Sequence, residues 1–245
     1  MDLLYRRQRS DTDCLLSSTL TREQIHPQTL LEEFEGNLTS DGYAAYNNLS
    51  PEIDCQGCWS HARRKYVDLD MNHRVRNKAL RYINKVFELE RSYTSAQLSV
   101  KEIEQQRKSR SRPIVEEYFE WLESLPEQSI GLQKAIQYSL NQKEKLMTFL
   151  NDGRLEATNN RAERHIRFLT IIRKNAYFAT SEPGAVALAD GLTIIETAKA
   201  NQLDPLKYLT YLLEKLSQYD YLTNEIIDQY LPWLDATKKA INPTT

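Results

Sequence analysis

Between Asn72 and about Leu150, apolar residues recur at the spacing of a helix face. Leu80, Ile83, Val86, Phe87 and Leu89 follow this rhythm, Glu90 faces away, and glycine all but vanishes. A stretch with this period does not sit as a strand, so any sheet in the chain has to come from residues outside it. Ser109 to Pro113 and Pro126 to Gly131 interrupt the pattern, which predicts three helices forming an insertion over 71–150.

The residues before the insertion carry mixed signals. Cys14-Leu15-Leu16, among Ser and Thr, reads as a strand. Pro27 opens an amphipathic segment, Gln28 to Phe34, that Gly36 ends. Asn37 to Ser40 predicts a strand that delivers Asp41 at its end, and Gly42 turns the chain into a short helix, Tyr43 to Asn48. Ile53-Asp54-Cys55 is another candidate strand, followed by a helix from about Trp59. After the insertion, helices dominate from Asn159 onward. Asp204-Pro205 reads as the N-cap and first residue of one of them, and Thr223 to Leu234 as a weak helix ahead of a frayed tail. The expected parts are therefore 1–70, the insertion 71–150, a segment 151–203, and a helical C-terminal segment 204–245.

Of the 245 residues, 40% are hydrophobic and 27% charged, with a net charge of −2, the balance of a water-soluble globular chain. No apolar run has the length of a membrane span, and Met1 to Arg7 lacks the apolar centre of a signal peptide. Three cysteines, an odd number, argue against a disulfide framework. A cytoplasmic location is expected. The charge is unevenly spread: His61 to Arg81 holds seven Lys/Arg against Asp68 and Asp70, and Asn151 to Lys174 holds six against three acids. Glu214 to Asp235 is the reverse, with five acids and only Lys215. Two basic blocks beside candidate acids have the character of a polyanion site, although charge blocks on helices are often merely solvated.

The densest chemistry lies in Asn159 to Arg167, Asn-Asn-Arg-Ala-Glu-Arg-His-Ile-Arg. Asn160, Glu163, Arg164 and Arg167 stand at i, i+3, i+4 and i+7 and so share a helix face. A carboxylate on a basic, amide-bearing face suits a divalent metal, with the cations holding phosphates. Asn160-x-x-Glu163 is also a capping box, for which no chemistry is needed. Asp41 at a strand end and Glu163 on a helix, 122 positions apart, converge if the insertion loops out. Acids so arranged are how a small α/β sheet builds a two-metal site, and Mg²⁺ suits one because it accepts few carboxylates. Cys55-x-x-Cys58-x-x-His61 is spaced unlike a structural zinc site, so a buried thiol and a hydrogen-bonded histidine ordering the turn are preferred.

Asp41-Gly42-Tyr43-Ala44-Ala45-Tyr46, Gly57-Cys58-Trp59-Ser60-His61-Ala62-Arg63-Arg64-Lys65-Tyr66, Asn159-Asn160-x-Ala162-Glu163-Arg164-x-Ile166-Arg167 and Arg173-Lys174-Asn175 resemble the bacterial DDE transposases of insertion sequence family sixty-six. Arg22-x-x-x-His26-Pro27 upstream and Ile195-Glu196-Thr197-Ala198-Lys199-x-Asn201-x-Leu203-Asp204-Pro205 downstream fit the same pattern in the same order. The resemblance implies a ribonuclease-H-like α/β core with an all-helical insertion before the last acid. It also implies three acids holding two Mg²⁺ for hydrolysis of a phosphodiester at an element's end and strand transfer into target DNA. Carried over, Asp41 is the second acid and Glu163 the third, and Cys58-x-x-His61 matches a signature near the second acid, a supporting role. DNA contacts are expected from Arg63, Arg64, Lys65, Asn160, Arg164, Arg167, Arg173 and Lys174.

The chain departs from that pattern in three respects. None of Asp2, Asp11 or Asp13 has the context of the first acid, and Phe168 and Ala176 stand where the family tends to have Pro and Trp. No counterpart of the family's N-terminal zinc-binding and helix-turn-helix regions is present in these residues. The expectation is an incomplete core, lacking its first strand and inactive by itself, with Mg²⁺ weakly held or absent. The competing expectation is a non-catalytic remnant that binds DNA. Expected partners are DNA, a full-length transposase or the product of an upstream reading frame, and another copy of the chain, with no membrane.

Overall fold

The computed structural model describes residues 2–8, 11–17, 25–46, 49–164 and 181–242. They divide into two units, 23–160 and 1–22 with 161–245. Most of the described chain is helical, around small strand pairs, a mixed α/β architecture.

In the unit of residues 23–160, α1 (Ile25–Leu30) leads to β3 (Gly36–Ser40) and β4 (Ile53–Gly57), which pair in parallel with Leu38 opposite Cys55 and Ser40 opposite Gly57. α1 begins two residues before Pro27, a proline tolerated there because first-turn N–H groups have no partner within the helix. Leu38 and Ser40 are buried while Asn37 and Thr39 are less so, the alternation expected of a strand covered on one face. The 3₁₀ turn Ala44–Tyr46 stands where the short helix was expected.

Helices follow: α2 (Trp59–Val67), α3 (Arg74–Ser95), α4 (Val100–Gln106), α5 (Arg112–Glu123), α6 (Ile130–Asn141) and α7 (Lys143–Met147). The predicted interruption at Ser109 to Pro113 is corrected. The chain stays helical there through a π turn, Arg107–Ser111, and Pro113 sits in the first turn of α5, where its missing N–H costs nothing. The break falls instead after α3, where Gln97 takes φ +52°. The Leu98 N–H donates to the Tyr93 carbonyl and the Gln97 N–H to Thr94, closing a Schellman motif. Three helices become five over the same stretch, while the loop at 125–129 stands as predicted.

One core joins α2 to these helices. Trp59, Ala62 and Tyr66 pack with Ile83, Val86, Val115, Tyr118, Phe119, Phe149 and Ala157. Its polar atoms are accounted for. The Trp59 indole donates to the Leu146 carbonyl over 2.8 Å, and the Tyr118 hydroxyl lies within hydrogen-bond distance of the Tyr66 and Ser139 hydroxyls, at 3.2 and 3.0 Å. Burial pushes both phenols above their ordinary pKa. Arg76 caps α2, donating to the Tyr66 and Val67 carbonyls.

In the unit of 1–22 and 161–245, β1 (Asp2–Gln8) and β2 (Asp11–Ser17) form an antiparallel hairpin with Tyr5 opposite Cys14. α9 (Glu182–Ala200) lies against β2. α10 (Pro205–Leu216) starts where predicted, with the Asp204 carboxylate accepting from the Lys207 N–H at 3.0 Å. α11 (Asn224–Ile227) covers part of the weak helix. The expected frayed tail is corrected: Asp235–Ile241 forms α12, with an acid in its first turn, lysines in its last, and Ile241 buried against Ala198, Leu203 and Tyr208.

Candidate active site

The register of the parallel pair decides what stands beside Asp41. Because Ser40 pairs with Gly57, Asp41 and Cys58 are the first residues past the same edge of the sheet, on strands about 4.8 Å apart. That edge is the C-terminal one, where open α/β sheets place their ligands. Asp41 is exposed; its Oδ1 accepts the Tyr43 N–H at 2.9 Å, an Asx turn, and its Oδ2 takes no hydrogen bond among the described residues. Gly42 has φ +80°, and a Cβ there would lie 3.1 Å from the Tyr138 hydroxyl. That hydroxyl, from α6, donates to the Asp41 carbonyl at 3.0 Å. Burial first, then the Cys58 and Asp41 charges, pushes the Tyr138 phenol up to about 12. The Lys65 ammonium lies 5.0 Å from the centre of the Tyr138 ring.

Cys58 is buried and precedes α2 as its N-cap, yet its side chain makes no cap bond. The thiol instead accepts the Asn159 N–H at 3.4 Å, and the Trp59 N–H, an orphan donor of the first turn, goes to the Ala157 carbonyl at 3.0 Å. Gln56, fully buried on β4, donates to the Glu156 carbonyl. Residues 156–159 are thus tied to the junction of β4 and α2. His61 is half-buried in the first turn of α2, with its backbone N–H donating to the Cys58 carbonyl. The Cys55 thiol donates to the Tyr46 carbonyl at 3.3 Å, and burial raises its pKa.

Arg107, in the π turn, holds the residues that lead into this segment. All five guanidinium N–H donors are used: to both Glu90 oxygens (3.0 and 2.5 Å) and to the carbonyls of Phe149, Asp152 and Leu155 (2.7, 2.7 and 2.8 Å). Gly153 passes so close to α4 that a Cβ would overlap the Val100 carbonyl.

Of the residues singled out in the sequence, Asp41, Cys58, His61, Arg63, Arg64, Lys65 and Asn160 belong to the unit of 23–160. Arg63 spends its Nε on Asn84 Oδ1 at 2.9 Å, while Arg64 and Lys65 are exposed. Glu163, half-buried, and Arg164, exposed, belong to the other unit, on α8 (160–164). Arg167, Arg173 and Lys174 lie outside the described residues. Among the described residues, no group of three or more His, Cys, Asp and Glu comes together to hold a metal ion. No described helix is long and apolar enough to cross a membrane. Sequence reasoning missed Tyr138, Gln56 and Arg107. No motif marks them, because each acts on backbone distant in sequence.

The comparisons agree with the motif pattern. The profile described as Transposase IS66 family matches residues 4–187, and that of the IS66 C-terminal element matches 193–233. Two similar proteins come from Sinorhizobium fredii. "Uncharacterized protein y4qI" is 35% identical over 218 residues, covering 83% of this chain and 40% of that protein, and "Uncharacterized protein y4hP" is 31% identical over 235, covering 86% and 42%. The chain thus spans about two fifths of the length of the curated relatives it matches. No solved structure matches it. With its characteristic motifs in order and both profiles matched, the chain belongs to the IS66 family of transposases.

Proposed function

We propose that the chain carries part of a ribonuclease-H-like DDE transposase core that acts on DNA phosphodiesters, with Asp41 as second acid and Glu163 as third. The observation that carries this reading is the position of Asp41. It is exposed, one residue past a parallel strand, beside Cys58 and the N-terminal end of α2.

A Mg²⁺ ion takes hard oxygen ligands and few carboxylates, and the Asp41 carboxylate fits one such position. Glu163 supplies a second in this reading, and the first acid is left unassigned. When bound, such ions lend Lewis acidity to phosphodiester hydrolysis and strand transfer. The protein's own residues orient and bind. Tyr138 fixes the backbone that presents Asp41, and the positive end of the α2 dipole favours a phosphate on the same edge. Arg63, Arg64, Lys65, Asn160, Arg164, Arg167, Arg173 and Lys174 are assigned to DNA backbone, and Cys58 and His61 to holding the site's shape.

Titration of the protein with Mn²⁺, followed by electron paramagnetic resonance, tests the acids. Asp41→Asn and Glu163→Gln should each weaken binding roughly tenfold or more. Equal affinity in the wild type and both variants sinks the shared site.

The exposed cations of α2 and α3 favour a second reading, a non-catalytic module that holds DNA or a full-length transposase. Salt-sensitive DNA binding that survives Glu163→Ala, without metal-dependent nicking, selects it.

A further inference from the structure

The first twelve residues of α3 carry five cations, Arg74, Arg76, Lys78, Arg81 and Lys85, and no acid precedes Glu88. Arg76 is spent on the end of α2. Arg74, Lys78 and Arg81 stand at i, i+4 and i+7 and line one open groove of about 730 Å³ with Asn77, Leu80 and Asn84. None of the three pairs with an acid among the described residues. Arg74 and Arg81 are exposed, while the Lys78 ammonium rests 4.7 Å from the Trp121 ring centre and 5.7 Å from that of Tyr82.

Like charges at i, i+4 destabilise a helix, and here no counter-charge relieves them. A polyanion would. The three cations span about 10 Å of helix, the axial reach of roughly three phosphates of a DNA strand. Stacking on Trp121 and Tyr82 restrains Lys78 in advance and reduces the entropy lost on contact. Asn84 accepts from the Arg63 Nε, which brings a cation of α2 onto the same face. The groove's amides have protein partners: Asn77 donates to the Met71 carbonyl and accepts from Arg76, and the Asn84 Oδ1 accepts from Arg63. What the groove chiefly offers a ligand is charge, which holds phosphate without reading sequence.

We propose that Arg74, Lys78 and Arg81, with Arg63 beside them, form a sequence-independent clamp on the phosphate backbone of DNA. The inference takes its partner from the proposed function and adds a surface on the helical segment.

The test is fluorescence anisotropy of a labelled DNA duplex of arbitrary sequence against the whole chain, in EDTA, across a salt series. Working without metal separates this question from the role of Asp41 and Glu163. The triple variant Arg74→Gln, Lys78→Gln, Arg81→Gln keeps good helix formers. The slope of log affinity against log salt should fall in magnitude by about 2.7, near 0.9 for each cation removed. Should the triple variant fail to fold, Arg81→Gln alone should lower it by about 0.9. A variant with the wild-type slope and affinity overturns the clamp, as does a wild type that binds no duplex at low salt. Tighter binding of poly-glutamate than of DNA at matched charge overturns the assignment to DNA. Each of these results leaves the Mn²⁺ test of the acids untouched.

Discussion

The Tyr138 hydroxyl holds the main-chain carbonyl of Asp41 at 3.0 Å, across 97 positions of sequence. A residue of the helical segment thereby fixes the backbone that presents the candidate acid, without engaging the carboxylate, whose Oδ1 accepts the Tyr43 N–H. Tyr138→Phe should lower stability by about 1 kcal/mol in urea unfolding, the usual worth of one hydrogen bond. It should also weaken Mn²⁺ binding although no ligand atom has been removed. Unchanged stability and unchanged Mn²⁺ affinity together would show that the bond does nothing for the turn.

Alkaline pH should act on the same residue. The Tyr138 phenol is raised to about 12 from an ordinary 10.0, as is that of Tyr208, in both cases first by burial. A phenol becomes charged when it loses its proton, so the unfolded chain deprotonates first. This contribution to stability is whole below pH 10 and is lost as pH rises through about 12. Thermal melts across that window should show the loss, and Tyr138→Phe should flatten it.

The Arg107–Glu90 pair is the most exacting ionic contact of the unit, with side chains 3% and 19% exposed. Removing one partner leaves the other charge buried, which typically costs about 3–5 kcal/mol. Arg107→Met should therefore destabilise heavily, and Glu90→Gln less, because the amide keeps an acceptor. A double-mutant cycle measured by chemical unfolding gives the coupling; a value near zero would show that the carbonyl contacts alone hold the arginine.

Two glutamines occupy left-handed backbone at helix ends, Gln97 at φ +52° and Gln202 at φ +63°. In both, the following N–H closes a Schellman bond, from Leu98 to Tyr93 and from Leu203 to Ala198. Glycine lacks the Cβ that makes this conformation costly, so Gln97→Gly and Gln202→Gly should each raise stability by about 1 kcal/mol. The sites lie in different units, and melting or urea curves of the double variant should show the gains add.

The strands that frame Asp41, the start of α2 and the Asp204 cap were legible because their signals are local: alternation, a glycine after the acid, a capping residue before proline. The helix count was not. Gln97 ends α3 without a glycine to announce it, and the serine and proline of 109–113 resemble a break that the π turn absorbs. The lysines of α12 carried a readable dipole signal at Lys238 and Lys239. At the site, Asp41 and the Cys58-x-x-His61 spacing stood out by residue type. Tyr138 and Arg107 did not, because their partners are main-chain atoms that only the fold brings near.

Arg107 also joins stretches far apart in the sequence. The carbonyls of Phe149, Asp152 and Leu155 reach their donor across 42 to 48 positions, and the Gly153 N–H is taken by Glu104 at 3.2 Å. Beyond the 3₁₀ turn Thr148–Asn151, the segment is therefore held in place by α3, α4 and the π turn. Held in this way it should resist proteases as its neighbouring helices do, a loop by appearance with the permanence of core.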